Sequence, residues 1–312
     1  MVKIEPECCT KLLEDFERKN FPYTGEILNF SGVGDHDVYN ISHPFEINGR
    51  NVIAGRVEKR DVWADSKIVF FEENGNSWNR INDAPILKLE DPFTTKLGDE
   101  IVLGGVEVYT ENNAFNSRDI GYRTVFYKGK CFDSLQRFAQ GPDKMKDIRL
   151  AYSTKGKIQV CTRPQGGQFG KGQIGYTELE SIEELHEENI LKAKIVEKIF
   201  KEDQWGGANE LHLLEDGRIG VLGHISYEDE YGHKHYYAMT FIYDPLTHQT
   251  TPVEILATRK NFPKGEFKKP ELEDVVFPGG LVRHKNGTAT LYAGLSDAQA
   301  GRITLPDPFL LK

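Results

Sequence analysis

Cysteine is scarce in this sequence, which has four thiols in 312 residues. They are Cys8, Cys9, Cys131 and Cys161, and none lies at a Cys-x-x-Cys or Cys/His metal-binding spacing. This pattern predicts reduced thiols in a cytoplasmic protein, and it supplies no ligand set that would indicate a metal or another cofactor. The first residues contain no apolar signal-peptide segment, and no apolar run is as long as a membrane span, so we expect no membrane partner.

Basic residues are too few for a general nucleic-acid-binding protein. The chain has 39 Lys and Arg against 48 Asp and Glu, a formal net charge of −9. Neutralising a phosphate backbone needs a basic face, so we expect no nucleic-acid partner, whereas a local cationic pocket is compatible with this charge. Helical segments that alternate with strands are also missing, which argues against a parallel α/β sheet.

Glycine, by contrast, recurs in a repeating context. Five polar-glycine turns each lead into a strand pattern, at Gly49, Gly98, Gly156, Gly217 and Gly287, with spacings of 49, 58, 61 and 70 residues. Repeated units of this size with several strands each are typical of a β-propeller. We predict an all-β fold: one five-bladed β-propeller domain over residues 1–312, with a short N-terminal helical segment in residues 1–24 packed on it.

Charged residues occupy equivalent places around these turns. Seven residues before the glycines stand Asp91, Arg149 and Glu210, with Ser42 and Gly280 in the other two units. Seven residues after them stand Arg56, Arg163 and His224, with Gly105 and Gly294 in the other two. The same end of each innermost propeller strand points at one central axis. The repeat therefore predicts that these side chains surround one funnel.

Other polar segments are candidates for the same funnel. Asp37 and Asn40 lie in a polar cluster at residues 34–40, Asn209 precedes Glu210, and Asp297 follows the last hairpin. Glu107 ends the segment after the Gly98 turn, and the Asn-rich residues 111–121 are predicted to form a loop at the rim of the pocket.

The balance of these charges favours phosphorolysis over hydrolysis. Hydrolysis of a glycoside usually needs two carboxylates. Phosphate is already an anionic nucleophile, so one carboxylic acid suffices if cations hold the phosphate. One prominent aspartate, Asp91, accompanies Arg149, Arg163 and His224, and arginine suits phosphate because its planar fork donates two parallel hydrogen bonds.

Four segments resemble, in order, motifs of the family-130 β-mannoside phosphorylases. Glu90-Asp91-Pro92-Phe93 is similar to their Glu-Asp-Pro-Arg, Thr162-Arg163-Pro164 to their His-Arg-Pro, residues 274–280 to their Asp-Val-Val-Phe-Pro-Cys-Gly, and residues 292–297 to their Tyr-Tyr-Gly-Ala-Ala-Asp. Phe93, Thr162 and Gly279 depart from these motifs.

A closer resemblance is to the DUF1861 family. It includes the Leishmania mannosyltransferase/phosphorylases of glycosyltransferase family 108, which make and degrade β-1,2-mannan. Residues 89–93 and 102–107 carry this resemblance.

The resemblance implies a five-bladed propeller that acts on β-mannosides with inversion, using inorganic phosphate or mannose 1-phosphate, with GDP-mannose as another donor. Asp91 would be the general acid, delivering its proton through a hydroxyl of the transferred mannose. Arg163 would bind phosphate, and Asp297 would bind sugar hydroxyls. Position and charge add Arg149 and His224 to the phosphate side. As an acid, Asp91 would need a raised pKa, supplied by burial or by Glu90.

Two alternatives remain open at this stage. A hydrolase of the related furanosidase-like propellers would use Asp37, Asp147 and Glu210 as its carboxylates. A sugar-binding or scaffold propeller would catalyse no reaction, although a ring of cations is unusual for a pure scaffold.

Overall fold

The computed structural model describes residues 6–19, 21–62, 65–110, 120–153, 156–196 and 199–310. Most of the predicted rim loop at residues 111–121 therefore lies outside the described residues; only Ile120 and Gly121 are included, at the start of a strand. No described helix combines the length and the apolar character that crossing a membrane requires.

Five β-sheets follow one another along the chain. Blade 1 contains β2 (Asn29–Ser31), β3 (Asp37–Tyr39), β4 (Phe45–Ile47), β5 (Arg50–Glu58), β6 (Lys67–Asn74) and β7 (Ser77–Arg80). Blade 2 contains β8 (Glu90–Leu97), β9 (Glu100–Thr110), β10 (Ile120–Gly129) and β11 (Gln136–Gln140). Blade 3 contains β12 (Arg149–Tyr152), β13 (Ile158–Thr162), β14 (Gly175–Leu179) and β15 (Lys194–Ile195).

The remaining two sheets complete the ring. Blade 4 contains β16 (Trp205–Leu213), β17 (Ile219–Glu228), β18 (Lys234–Asp244), β19 (Gln249–Thr250) and β20 (Glu254–Ala257). Blade 5 contains β21 (Val276–Arg283), β22 (Thr288–Leu295), β23 (Gln299–Pro306) and, from the other end of the chain, β1 (Glu26–Ile27). The predicted all-β, five-bladed propeller is confirmed.

Within the described ranges, the α-helices are α1 (Cys9–Arg18) and α2 (Glu187–Ile190). Short 3₁₀ turns lie at Phe132–Ser134, Gly167–Phe169, Ile182–Glu184, Arg259–Asn261 and Pro270–Leu272. The predicted N-terminal helix is α1, which buries Cys9 and Phe16 in the apolar core between blades 3 and 4.

The five repeated glycines occupy the same place in every blade. Each joins the innermost strand to the next strand outward; in blade 1 the innermost strand is split into β3 and β4, which both pair with β5. Their φ angles are +69° at Gly49, +60° at Gly98, +87° at Gly156, +87° at Gly217 and +83° at Gly287. A side chain is strained in this left-handed region, which explains why glycine recurs there.

The ring is closed by the N-terminal strand. β1 pairs antiparallel with β23, with Glu26 opposite Arg302, and the two side chains form a 2.7 Å ion pair. The chain then continues into β2, which pairs with β7 in parallel. Blades 5 and 1 are therefore joined by one continuous segment.

Apolar side chains fill the space between every pair of neighbouring blades. Five buried clusters occupy the five interfaces; Phe70 and Leu103, for example, meet between blades 1 and 2, and Val102 and Ile148 meet between blades 2 and 3. Burial of the apolar surface of these side chains is the main favourable contribution to the free energy of folding. Because the interfaces are apolar, buried charge is concentrated at the axis of the ring.

Gly279 lies where the innermost strand of blade 5 packs closely against blade 1. An added methyl group would lie 1.5 Å from the backbone carbonyl oxygen of Ile41, which belongs to blade 1. We expect Gly279→Ala to cost about 1–3 kcal/mol of unfolding free energy and to lower the thermal midpoint by several degrees. Gly265→Ala is the matched control, because its methyl group would first meet the movable end of the Gln299 side chain. Equal midpoints for the two variants would contradict the close approach.

Candidate active site

The inner strands bring most of the predicted funnel residues together in the buried centre of the ring. Asp91, Arg149, Arg163 and His224 are 8%, 3%, 4% and 2% exposed. Asp91 is the second residue of the innermost strand of blade 2, Arg149 begins that of blade 3, and His224 lies in the second strand of blade 4. The repeat positions inferred from the glycine turns thus converge in space.

Four polar residues of the predicted site have unusual backbone conformations. Asn40, Asp91, Asp147 and Asp297 have positive φ angles of 43°, 49°, 58° and 51°. Asp91 also lies in a bulge, since the register between β8 and β9 shifts between Glu90 and Phe93. Left-handed backbone is unfavourable for side-chain-bearing residues, although Asn and Asp tolerate it best. Such strain gathers at functional sites, where packing enforces it.

Arg56 is the centre of the acidic side of the site. Its guanidinium lies 3.1 Å from Asp91 Oδ1, 3.1 Å from Glu90 Oε1 and 2.7 Å from Glu58 Oε2. Asn40 Nδ2 donates a 2.8 Å hydrogen bond to the same oxygen of Asp91. One arginine therefore pairs with three carboxylates, of which Glu58 and Glu90 were not predicted from the repeat.

The carboxyl groups around Arg56 differ in proton affinity. Burial tends to raise the pKa of Asp91, but Arg56, Lys146 and Asn40 outweigh it and hold the pKa below its ordinary range. Burial and the Asp91 charge raise the pKa of Glu90 and of Asp297, despite the opposing charge of Arg56. The raised pKa expected for Asp91 is thus absent in the free protein, because Arg56 lies against it and favours the anion.

The opposite side of the site is cationic. Arg149 donates to the carbonyls of Asn209 at 2.9 Å and Ile148 at 3.2 Å, and its guanidinium lies 4.1 Å from the centre of the Phe93 ring. Phe93 stands where the family-130 motif has arginine, and here it supports Arg149 through a cation–π contact. Arg163 donates to Gly206 O at 2.7 Å, Lys171 O at 3.0 Å and Gln165 Oε1 at 3.2 Å.

Asp147 lies between these two arginines. Its carboxyl oxygens are 3.6 Å from Arg149 Nη2 and 3.6 Å from Arg163 Nε, and Oδ2 has no hydrogen-bond partner among the described residues. Burial opposes ionisation, but Arg163, His224, Lys146 and Arg149 together lower the pKa of Asp147. It is therefore an anion that orients the cations.

His224 is a neutral ring in this setting. Burial, and the charges of Arg163, Lys146 and Arg149, lower its pKa to about 3, although Asp147 opposes the shift. Asn209 donates its amide to Pro278 O at 2.7 Å, so its Oδ1 is the acceptor for His224 Nδ1 at 2.8 Å. This arrangement assigns the ring proton to Nδ1 and leaves Nε2 with a lone pair.

Lys146 is a site residue that the repeat did not reveal. Its charge acts on Asp91, Glu90, Asp147 and His224, so it lies between the acidic and cationic sides. It makes no hydrogen bond or close ion pair to any residue within the described ranges. The sequence signal was the dense charge of Lys146-Asp147-Ile148-Arg149 immediately before an innermost strand.

Three predicted residues, Asp37, Glu107 and Glu210, have partners away from this cluster. Asp37 accepts hydrogen bonds of 2.8 and 2.7 Å from Arg60. Glu107 forms ion pairs of 2.8 Å with Arg123 and 2.7 Å with Arg137.

Glu210 is held by blades 1 and 5: it accepts a 2.6 Å hydrogen bond from the Leu281 N–H and lies 3.3 Å from His43 Nδ1. Burial opposes its ionisation, but His212 and His43 lower its pKa.

A cavity of about 970 Å³ opens beside the acidic side, between blades 1 and 2. Arg56, Glu58, Glu90 and Lys268 line its polar part, and Ile86, Leu89, Val106 and Val108 line its apolar part. Its size suits a small ligand such as a sugar unit. Within the parts of the chain that the structure describes, no group of three or more His, Cys, Asp or Glu side chains is placed to hold a metal ion.

The family model described as a protein of unknown function, DUF1861, matches residues 14–310. No curated protein matches the chain significantly in sequence.

Two solved structures from Leishmania mexicana are similar to nearly the whole chain. MPT-4, a mannose phosphorylase in complex with phosphate ion, is 38% identical with a TM-score of 0.88, over 96% of this chain and 93% of that one. MPT-1, a GDP-Man-dependent mannosyltransferase, is 34% identical with a TM-score of 0.87, over 97% and 95% of the two chains.

A more distant likeness shows the fold alone. β-1,2-Mannobiose phosphorylase from Listeria innocua is 15% identical with a TM-score of 0.64, over 88% of this chain and 91% of that one.

The neutral state of His224 makes stability depend on pH. Between its ordinary pKa of 6.5 and the folded value of about 3, the unfolded chain binds a proton that the folded chain does not. Its contribution to stability is therefore complete above pH 6.5 and is lost as the pH falls towards 3. We expect the unfolding free energy of His224→Asn to fall less steeply with acid than that of the wild type. His233→Asn, at the surface, is the control, and parallel curves for all three proteins would contradict the assignment.

Proposed function

Because the chain belongs to the DUF1861 family, we propose that it is an inverting β-mannoside phosphorylase that moves mannose between β-1,2-mannooligosaccharides and phosphate. The observation that carries this proposal is the arrangement of the axis, where Asp91 and its carboxylate neighbours lie on one side, Arg149 and Arg163 on the other, and Lys146 between them. The similar structures named above are a phosphorylase and a transferase, which supports the same class of chemistry.

The cationic side retains donors for an anion. An arginine has five N–H donors. Arg149 uses two of them for hydrogen bonds within the protein, which leaves 5 − 2 = 3, and Arg163 uses three, which leaves 5 − 3 = 2. Lys146 adds an ammonium group with no hydrogen bond to a described residue. Together these groups would hold a phosphate, and the Nε2 lone pair of His224 would accept a hydrogen from a phosphate or sugar hydroxyl.

The proposed reaction is a single displacement. A phosphate oxygen forms a bond to the anomeric carbon of mannose while the glycosidic carbon–oxygen bond breaks on the opposite face. The leaving oxygen takes a proton that originates on Asp91, delivered through a hydroxyl of the transferred mannose as in the related phosphorylases. Asp297 and Asn40 would bind sugar hydroxyls, and the cavity between blades 1 and 2 would receive the leaving sugar.

Phosphate itself would prepare the acid. In the free protein, Arg56 and Lys146 favour ionised Asp91, and the charges of Asp91 and Arg149 interact across the axis. An anion bound at Arg149 and Lys146 offsets their positive field, and a sugar over Asp91 removes water. Both changes raise the pKa of Asp91 towards that of a general acid.

The donor is mannose 1-phosphate or a sugar nucleotide such as GDP-mannose. The two similar structures from Leishmania mexicana have one activity each, and the cationic side of this site suits either phosphate group. Product analysis with inorganic phosphate and with GDP-mannose separates the two.

The hydrolase alternative is less well supported. Of its three carboxylates, Asp37 is paired with Arg60, Asp147 lies between two arginines, and Glu210 is held by a backbone N–H. Hydrolysis requires two carboxylates that act as a pair, and each of these three is held by different partners within the protein.

The acid assignment is tested with Asp91→Asn. We expect the purified wild-type protein to convert β-1,2-mannobiose and phosphate into mannose 1-phosphate, and the variant to lose about 10²–10⁴-fold in kcat. Glu210→Gln should retain most of the phosphorolysis. Free mannose formed without phosphate, and lost in Glu210→Gln, would instead establish a hydrolase; no product with phosphate or GDP-mannose would favour a binding protein.

The phosphate site is tested with Lys146→Met. Because Lys146 makes no hydrogen bond to a described residue, the variant should keep its thermal midpoint while the KM for phosphate rises about tenfold or more. Lys144→Met, two residues earlier and exposed, is the matched control. An unchanged KM for phosphate in Lys146→Met would remove this lysine from the site.

A further inference from the structure

Glu58 is the most heavily hydrogen-bonded carboxylate near the proposed acid, and the proposed chemistry gives it no role beyond lining the cavity for the leaving sugar. Its Oε2 accepts hydrogen bonds from Tyr39 Oη at 2.6 Å, Ser66 Oγ at 2.7 Å, and Arg56 Nε and Nη2 at 3.1 and 2.7 Å. Its Oε1 accepts one from Lys268 Nζ. The side chain is 8% exposed.

The contacts of Glu58 fix one edge of the Arg56 guanidinium. Arg56 and Glu58 stand two residues apart in β5, so both side chains project from the same face of the strand. With Nε and Nη2 bound to Glu58, the remaining nitrogen, Nη1, lies 3.1 Å from Asp91. The Tyr39 ring, 5.0 Å from the guanidinium carbon, limits movement out of this plane. Without Glu58, the other hydrogen bond from Nε would be the one to Ser66 Oγ.

Lys268 connects a second segment to this carboxylate. It belongs to the connection between β20 and β21, and its backbone N–H donates to Ser296 O at 2.9 Å, next to Asp297. Glu266 in the same connection pairs with Arg60, which also holds Asp37. Glu58 and Arg60 therefore both join blade 1 to this connection, which contacts Ser296 next to Asp297.

We propose that Glu58 is a positioning residue, which holds Arg56 in the orientation that lets Asp91 take up and release a proton, and that Lys268 limits how strongly Glu58 attracts Arg56. The catalytic meaning of this positioning role rests on the proposed function. The hydrogen-bond geometry around Glu58 is independent of that function.

The groups that face Asp91 determine the sign of the expected effect. They come from every element around it and are Asn40, Arg56, Glu90, Lys146, Arg149 and Asp297. Replacing Glu58 by glutamine removes a negative charge that shares the Arg56 guanidinium with Asp91. It also frees Arg56 to pair more fully with Asp91. Both effects stabilise the ionised form of Asp91, so its protonation should require a lower pH.

Removal of the Lys268 charge should act in the opposite direction. Lys268 favours ionised Asp297 and neutralises part of the Glu58 charge. In Lys268→Met, Glu58 would attract Arg56 more strongly. The interaction of Arg56 with ionised Asp91 would then be weaker. Protonation of Asp91 should then persist to a higher pH.

The test compares the pH dependence of kcat for phosphorolysis, at saturating phosphate and β-1,2-mannobiose, in the wild type, Glu58→Gln and Lys268→Met, because kcat reports the pKa of the acid in the substrate-bound enzyme. We expect the alkaline limb, which reports loss of the protonated acid, to move down by about half a pH unit or more in Glu58→Gln and up in Lys268→Met. The KM for phosphate should stay within about twofold, because Glu58 bonds to Arg56 and Lys268, whereas the proposed phosphate arginines, Arg149 and Arg163, belong to blade 3. Glu72→Gln, which removes a half-exposed carboxylate of β6, should leave the profile unchanged.

A purely structural role for Glu58 gives a different result. Activity or thermal stability would fall in both variants while the alkaline limb stayed in place, and that outcome would overturn the proposal. Shifts of the same sign in both variants would also overturn it, because the two charges act in opposite directions on Arg56.

A titration independent of turnover separates this proposal from the proposed function. With ¹³C-labelled aspartate carboxyl groups, the Asp91 resonance is identified by its loss in Asp91→Asn, and its midpoint is followed in the same variants. If the wild type forms no mannose 1-phosphate, the proposed function fails, yet opposite shifts of this resonance would still establish the positioning role. Unmoved resonances in an active enzyme would refute the positioning role alone.

Discussion

The ion pairing of Arg56 is the interaction on which the acidic side of this site depends. Two adjacent carboxylates, Glu90 and Asp91, enter the centre of the ring on one bulge, and Glu58 lies on the far edge of the same guanidinium. Burying three such groups without a cation would cost far more than the fold could offset. Arg56 makes their burial tolerable, and its shared contacts determine which carboxyl group holds a proton.

The apolar interfaces explain why this chemistry is confined to the axis. Clusters of buried hydrophobic side chains fill the space between every pair of blades. Charged side chains are therefore accommodated at the ends of the inner strands, where water in the funnel or an opposite charge can stabilise them. The result is asymmetric. Blades 1 and 2 supply carboxylates around one arginine, whereas blade 3 supplies two arginines around one carboxylate, Asp147. A phosphate and a protonated leaving group need opposite surroundings, and this asymmetry is what supports the proposed phosphorolysis.

Local patterns were sufficient for the fold and for much of the site. Glycine is needed where the turn between the first two strands of a blade has positive φ, so the repeat was readable without the structure. Counting from those turns located Asp91, Arg149, Arg163 and His224, because strand geometry carries equivalent positions to the same axis. The same counting missed Glu58 and Lys146, which occupy other offsets. Glu58 had only a weak signal, its place two residues after Arg56 on the same strand face.

The sequence by itself therefore determined the all-β class, the five units and the residue types gathered at the axis, since turn chemistry and strand periodicity are local properties. Only the tertiary structure decided which charges meet and which protonation states result. Asp37 and Glu107 are paired with Arg60, Arg123 and Arg137, and no spacing rule predicts these partners. The pKa of Asp91 is lowered where a raised value was expected, and His224 is neutral where a cation was expected. Burial and through-space charge set these states, and both depend on distances that arise only when the ring closes.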